Sequence, residues 1–330
     1  MKAIVLESYG EPDVLTMRDV PDPRPGPEEI VVEIVATALN RADLLQRRGF
    51  YPGPPMRFEI PGMEFSGRII EVGGRAALWP VGAAVMGIVG GGSYAERIAV
   101  HERQVMAVPD AIKLADGAAI PEVWITAFDA MVVQGGLTSG RTVLIHAGGS
   151  GVGTAAIQIA KAIGARVIVT ASSTKLDRCR ALGADVAVDY RQDDFVVAAA
   201  EFGRGVGIDV IIDVVGGDYV DRNIDCVAVG GRIVQVGVMS GGITQVNIAK
   251  LLPKRAALIG TVLRSRPIEE KIAITRRFAA EMLPMFATAK LVPVIDRRFP
   301  LDAIADAHQV MEANDNVGKI MIDVTAASDR

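Results

Sequence analysis

TVLIHAGGSGVGTAAIQIAKAIGARVIVTASSTKLDRCRALGAD, Thr142 to Asp185, is the stretch that decides the fold. A β-branched apolar run, Thr142–Ile145, enters a cluster of glycines (Gly148, Gly149, Gly151, Gly153) and leaves as a helical pattern. Val152, Ala155, Ala156, Ile159 and Ile163 follow the i, i+3, i+4, i+7 spacing of one buried helix face. Gly164 closes that helix, and Arg166–Thr170 reads as a second buried strand. Strand, glycine turn, helix and strand within about 30 residues make the βαβ unit whose helix N-terminus holds a dinucleotide pyrophosphate. Backbone amides approach phosphates where side chains are missing, and the helix dipole favours the negative charge.

The cluster Gly148-Gly149-Ser150-Gly151-Val152-Gly153 fits no G-x-G-x-x-G register, and a plain tight turn is the alternative. The flanking strand and helix both have the right period, which points to nucleotide binding. NAD-binding units carry Asp or Glu about 20 residues past the glycines, where it bonds the ribose hydroxyls. Here that point is Thr170-Ala171-Ser172-Ser173-Thr174-Lys175, and the first carboxylate, Asp177, already lies in the next helix. Two hydroxyls and a lysine suit a 2′-phosphate, which predicts NADPH. Ser172 or Ser173 is also placed to cap the following helix, and the two roles are compatible.

With 330 residues, two domains are expected. A composition 50% hydrophobic and 22% charged, with mean hydropathy +0.31, describes a well-buried globular protein. Net charge −4 and a pI near 5.6 give no reason to expect nucleic acid or an anionic membrane as partner. Cys179 and Cys226 are isolated in helical patterns, fit no metal-cluster spacing and suit a reducing cytoplasm. No apolar run approaches the roughly 18 residues of a membrane span, and Lys2–Glu7 enters a strand where a signal peptide would lie.

In chain order, Lys2–Glu7, Val14–Val20 and Glu29–Ala38 read as strands, with a proline-rich connection at 21–27. Leu39–Gly49 reads as a short helix, and 49–61 as a Gly/Pro loop of the kind that lines a site. Short glycine-rich strands to about Val108 have the texture of an all-β, barrel-like module. Pro121 opens a helix over 122–134. Six strands then alternate with helices: 142–145, 166–170, 186–189, 210–214, 232–236 and 256–260, a doubly wound parallel sheet. Helices over 268–286 and 301–313 and a strand over 319–324 look like a return to the first domain.

Six segments carry a resemblance: ALNRADLLQRRG (38–49), IPGMEFSGRIIEVG (60–73), AAIPEVWITAF (118–128), VLIHAGGSGVGTAAIQIAKAIGA (143–165), LLPKRAALIGTVLRSR (251–266) and ANDNVGKI (313–320). In order and spacing the chain resembles the medium-chain dehydrogenase/reductase superfamily, in its zinc-free quinone oxidoreductase branch. LIHAGGSGVGTAAIQ with GTVLRSR is similar to the tumour-suppressor-inducible type, which shares Ser150 where many relatives have glycine. The resemblance implies an α/β fold: a Rossmann NADPH-binding domain over 121–263 and a GroES-like, mostly-β catalytic domain over 1–120 and 264–330. Zinc-dependent cousins place a metal-ligating Cys where Asn40 stands and a His where Met63 stands, and carry four further cysteines on a lobe missing here. Asn40, Met63 and Glu64 do not supply the three close ligands of a catalytic Zn²⁺, so no metal is expected.

Asn40 is placed to cap the helix 41–48, with Asp43 three positions on. The resemblance instead puts its amide at the nicotinamide end of the cofactor. Tyr51 is either an exposed loop aromatic or a phenol that stacks on a planar quinone. Thr126 sits among core residues, whereas the family places this threonine at the nicotinamide carboxamide. Gly148, Ser150, Gly151 and Val152 form the pyrophosphate turn, and Lys175 and Tyr190 match relatives' 2′-phosphate ligands. Gly237 to Met239 pass under the nicotinamide ribose. Leu263, Arg264 and Arg266 reach the cofactor or form a solvated basic turn. Asn314 and Lys319, in the last matching segment, complete the implied cofactor set. The Arg pairs 47–48, 276–277 and 297–298 read as solvated faces. His146 reads as structural, and His101 and His308 have no visible partner.

The leading expectation is metal-free hydride transfer from NADPH to a quinone, with Asn40 and Tyr51 as weak donors to the developing oxyanion. An enoyl or alkenal double-bond reductase and a non-catalytic NADPH-binding protein are the alternatives. A homodimer through the strand near 256–260 is expected from the family and from that strand's open edge.

Overall fold

The computed structural model describes residues 1–325. The chain forms two compact units, Met1–Ile125 with the segment from Arg264 onward, and Thr126–Leu263.

The first unit begins with β1 (Lys2–Leu6) and β2 (Leu15–Asp19), an antiparallel ribbon. β3 (Glu29–Ala38), α1 (Arg41–Arg47), β4 (Glu64–Val72), β5 (Ala84–Ile88), β6 (Arg97–His101), β7 (Val105–Ala107) and the short α2 (Leu114–Gly117) follow. β3 is the axis of a seven-stranded sheet and pairs antiparallel with β4 and β6. Its β-branched sequence EIVVEIVATA is buried along nearly its whole length because packed layers cover both faces.

α3 (Pro121–Phe128) leads into the second unit, and the helix predicted over 122–134 changes its winding midway. Asp129–Gln134 is π-helical, with Gly135 N donating to Ala130 O at 2.9 Å. The buried Asp129 carboxylate inside that turn accepts from Thr261 Oγ1 at 2.7 Å.

The strands that follow are β8 (Thr142–Ile145), β9 (Arg166–Ala171), β10 (Val186–Asp189), β11 (Ile208–Asp213), β12 (Val227–Gln235) and β13 (Ala257–Gly260). Between them lie α4 (Gly151–Ile163), α5 (Leu176–Ala181), α6 (Phe195–Phe202), α7 (Tyr219–Cys226) and α8 (Leu251–Lys254). All strand pairs are parallel, in the order β10-β9-β8-β11-β12-β13. That order reverses between β8 and β11, and ligands of such sheets bind at the carboxyl ends of the strands there. The doubly wound sheet is therefore as expected. Leu144, Ile168, Ile211 and Ile233 fill its core.

The chain then returns to the first unit with α9 (Ile268–Ala287), β14 (Ile295–Pro300), α10 (Ile304–Glu312) and β15 (Lys319–Asp323). β15 pairs antiparallel with β3 and parallel with β14. β14, IDRRFP, escapes a hydrophobicity reading because its arginines are not solvated as a pair. Arg298 is half-buried between Asp116 and Asp323. Arg47 departs further from expectation: it is fully buried, donates to Gly10 O at 3.0 Å and pairs with Glu312. The pair 276–277 does lie at the surface, with Arg277 on Glu281 at 2.8 Å.

His308 is buried on α10, and neither ring nitrogen has a hydrogen-bond partner among the described residues. Burial and the nearby Arg47 charge push its pKa down to about 3, so it stays neutral. Cys179 and Cys226 are free and buried, and burial raises both thiols, to about 11 and about 12. They are inert by that measure. No described helix is long and apolar enough to cross a membrane.

Candidate functional site

In the second unit the glycine cluster builds a bare helix N-terminus. Ser150 caps α4, its Oγ accepting from Gly153 N at 3.0 Å, and its carbonyl takes Thr154 N. Of the first-turn amides, those of Gly151 and Val152 remain for a ligand. Space explains the glycines better than φ. A Cβ on Gly153 would stand 2.4 Å from Ala147 O, and one on Gly148 2.9 Å from Val169 Cβ. Both turn residues therefore let helix and strands approach closely. A Cβ on Gly149 would stand 2.7 Å from Lys175 Cδ, so the lysine stem lies against the turn.

The ends of β9 and β10 complete that edge. Ser172 N-caps a short helical turn, Ser173–Lys175, without a side-chain cap bond; its Oγ lies 3.4 Å from Thr174 Oγ1. Tyr190, just past β10, is half-exposed, and its amide reaches Ala171 O. Asp189, opposite Ala171 in the register, is turned into its own loop, where Gln192 Nε2 donates to it at 3.0 Å. Hydroxyls, a lysine and a phenol are thus gathered where a ribose-binding carboxylate would otherwise stand.

Beneath the carboxyl ends of β9, β8 and β11 runs a buried polar chain that the sequence did not disclose. Asn223 Nδ2 donates to Asp213 Oδ2 at 2.9 Å, which orients the amide and leaves Asn223 Oδ1 as acceptor for His146 Nε2 at 2.7 Å. His146 Nδ1 is then the unprotonated nitrogen and accepts from Thr170 Oγ1 at 3.0 Å. Burial keeps this imidazole neutral by lowering its pKa. Asp213 Oδ1 also accepts from the amides of Val215 and Gly216. The chain fixes the loop after β11, onto which Met239 N folds back by donating to Val214 O. Gly237 crosses that same loop, where a Cβ would meet Val214 O at 3.1 Å. Thr126, on α3, is almost buried. Leu263 ends the unit.

In the first unit, Asn40, Glu64 and Lys319 share one buried network. Lys319 is 3% exposed, and its ammonium donates to Leu39 O and Asn40 Oδ1 at 2.6 Å each and pairs with Glu64 Oε1 at 2.7 Å. Asn40 Nδ2 donates to Glu64 Oε1 at 2.9 Å and to Ala38 O at 3.3 Å. Glu64 Oε2 accepts from Glu122 N at the start of α3 at 2.8 Å. Asn40 Nδ2 and the Lys319 ammonium are thus engaged within the protein, tying the approach to α1 to the starts of β4 and β15. Asn40 is the N-cap of α1 and forms the expected capping box with Asp43, whose Oδ2 accepts from Asn40 N at 2.8 Å. Asp43, fully buried, also holds Tyr94 OH and Gly62 N, and burial pushes its pKa up to about 6.

Tyr51 lies half-buried on the Gly/Pro loop, and burial raises its phenol pKa. Arg264 clamps that loop. Its guanidinium sits 4.8 Å above the Tyr51 ring and donates to Tyr51 O, Gly90 O and Gln46 Oε1. It is not a solvated basic turn. A Cβ on Gly53 would stand 2.7 Å from Gln46 Nε2 and 3.1 Å from the Arg264 guanidinium, so Gly53 lies directly beneath the clamp. Tyr51, Phe58, Val89 and Arg264 line a cleft of about 870 Å³ in this unit. Asn314 has a left-handed backbone, φ 57°, after α10 and accepts from Arg41, which ties it to α1.

Residues 151–280 match the family "Zinc-binding dehydrogenase" and residues 26–110 the "Alcohol dehydrogenase GroES-like domain". The quinone oxidoreductase of Pseudomonas aeruginosa is 32% identical over 97% of this chain and 99% of its own. The chain belongs to the medium-chain dehydrogenase/reductase superfamily. It is an oxidoreductase of that type. Its solved relatives include the Escherichia coli quinone oxidoreductase complexed with NADPH, with TM-score 0.89 and 26% identity over 98% of this chain and 100% of that one. A structure titled as an NAD-dependent alcohol dehydrogenase has TM-score 0.87 and 31% identity over 98% of this chain and 100% of that one. The superfamily's two-part organisation, a mostly-β GroES-like unit and a parallel Rossmann-like sheet, is the one found here. Among the described residues no three His, Cys, Asp or Glu side chains gather as metal ligands.

Proposed function

We propose that this oxidoreductase reduces a quinone with NADPH and without a catalytic metal. The observation that carries the coenzyme reading is the edge of the second unit. The helix end at Gly151 and Val152, packed against a turn too close for side chains at Gly148 and Gly153, lies beside two serines, a lysine and a phenol, and the neighbouring Asp189 is turned inward. Gly151 and Val152 amides hold the pyrophosphate, while Lys175, Ser172, Ser173 and Tyr190 hold the 2′-phosphate. Thr126, Gly237, Met239 and the Leu263 backbone orient the nicotinamide end. Bound NADPH supplies a hydride. The half-buried Tyr51 offers a ring face to a planar acceptor and a hydroxyl to its oxygen, and the Arg264 clamp keeps that loop in place.

Metal independence is supported by the ammonium of Lys319. It already sits between Asn40 Oδ1 and Glu64 Oε1, so the negative charge of Glu64 is satisfied by a fixed cation. A quinone accepts electrons without a Lewis acid, and orientation in a dry cleft suffices. The exposed edge strand β13 supports pairing of two copies along it. A small-molecule quinone or activated carbonyl acceptor, no nucleic acid and no membrane partner complete the reading.

Lys175→Glu tests the coenzyme assignment. Removing a charge-assisted contact and adding a repulsive one is expected to raise the KM for NADPH by roughly tenfold to a hundredfold, with a much smaller change for NADH. Steady-state kinetics with both coenzymes read this directly. Equal effects on the two would remove Lys175 from the 2′-phosphate site.

A further inference from the structure

The cleft of the first unit carries a charge imbalance that quinone reduction alone does not use. Its walls are apolar, with Met56, Phe58, Ile60, Val89 and Ile98. Arg57, Arg264 and Lys271 also line it, and none of them has a carboxylate at ion-pair distance among the described residues. Arg57 lies over the Phe58 ring at 5.3 Å. Arg264 donates only to neutral carbonyl and amide oxygens, with Asp43 and Glu59 within its field but not in contact with it. Lys271 is half-buried on α9; Glu269 and Glu270 precede it, but Glu269 pairs with Arg103, and the positions three and four residues away, which share its face, are Pro267, Ile268, Ile274 and Thr275.

The other charged groups on the lining are already compensated. Arg97 and the Met1 amino group share Asp22, and His101 stands 3.5 Å from Glu28; Glu29, the one carboxylate on the lining, is turned onto Gly26 N at 2.8 Å, so cations outnumber it. Burial and the Arg264 charge together lower the Lys271 pKa, which places the two cations within each other's field. Like charges held in a partly desolvated cleft raise the energy of the empty site, and a bound anion relieves it.

We propose that the acceptor taken by this cleft is an apolar ring system bearing an anionic group (carboxylate, sulfonate or phosphate) that docks against Lys271, with Arg57 and Arg264 beside it. This rests on the reading of the cleft as the acceptor site. It assigns Lys271 as a specificity-determining residue.

The test compares turnover of an ortho-naphthoquinone and its sulfonated derivative by the full chain and by Lys271→Gln. The ratio of kcat/KM for the sulfonated over the plain quinone is expected to fall about tenfold in the variant and to fall with added salt in the wild type. Arg57→Gln, at an exposed position, repeats the comparison should Lys271→Gln disturb α9. An unchanged ratio overturns the proposal. So does a variant whose only defect is a raised KM for NADPH, since the cations then serve the coenzyme. If the wild type turns over neither quinone, calorimetric titration with naphthalenesulfonate and the neutral naphthalenesulfonamide decides separately. Tighter binding of the sulfonate, lost in Lys271→Gln, sustains the subsite while the oxidoreductase reading of the cleft fails. Equal affinities overturn the subsite as well.

Discussion

Lys319→Met is expected to lower the stability of the first unit by about 3–5 kcal/mol, because it leaves Glu64 buried and charged without its ion partner. The Lys319 ammonium makes three contacts at 2.6–2.7 Å and joins β15, the approach to α1 and the start of β4. Methionine keeps the apolar stem and removes every one of them. Glu64 is then held only by Asn40 Nδ2 and Glu122 N, and Leu39 O and Asn40 Oδ1 lose their donor. Adding Glu64→Gln to Lys319→Met is expected to restore part of the loss, since a neutral amide replaces the stranded carboxylate. Urea unfolding followed by far-UV circular dichroism gives both values. A cost below about 1 kcal/mol for the single variant would show the pair to be solvated, and the network would lose its structural meaning.

Gly153→Val is expected to weaken NADPH binding by about a hundredfold or more, roughly 2.7 kcal/mol. A Cβ there would lie 2.4 Å from Ala147 O and 2.7 Å from Gly148 Cα. Those are backbone atoms of the turn itself, so relief must move the turn and not a flexible side chain. Ser150 Oγ, bonded to Gly153 N, moves with it, and the Gly151 and Val152 amides lose their common direction. Gly74→Ala, whose Cβ meets nothing within 4 Å, is the matched control and should bind as wild type. Equilibrium fluorescence titration with NADPH measures both. Tight binding by Gly153→Val would mean that phosphate recognition does not use this helix end.

Where one period governs a whole element, the sequence was readable. The βαβ unit shows its apolar period in α4, its buried β-branched strands and its closing Gly164, and all three formed as expected. The return of the chain end to the first sheet was equally visible in Lys319–Asp323, a fully buried strand. Elements whose burial depends on distant charges were not readable. β14 and Arg47 look solvated in sequence because Asp116, Asp323 and Glu312, which neutralise them, are remote in the chain.

The site followed the same rule. The turn residues Gly148, Ser150, Gly151 and Val152 and the candidates Ser172, Ser173 and Lys175 were legible from local pattern, and in the structure the Lys175 stem lies against Gly149 of that turn. Asn40 was visible as a helix cap, but its hydrogen bond to Glu64, 24 residues away, was not. The His146–Asn223–Asp213 chain joins three separated elements through single side chains and leaves no periodic trace. Lys271 follows Glu269 and Glu270 in an amphipathic helix whose pattern does not show that Lys271 lines the cleft while Glu269 pairs with Arg103.

The central claim is that electrons pass from NADPH to a quinone on protein groups alone. Exhaustively chelated protein, checked for residual zinc by elemental analysis, should consume NADPH in the presence of an ortho-naphthoquinone as fast as untreated protein, followed as loss of reduced-nicotinamide absorbance. No NADPH consumption with the quinone, or activity lost on chelation and regained only with added Zn²⁺, would contradict it.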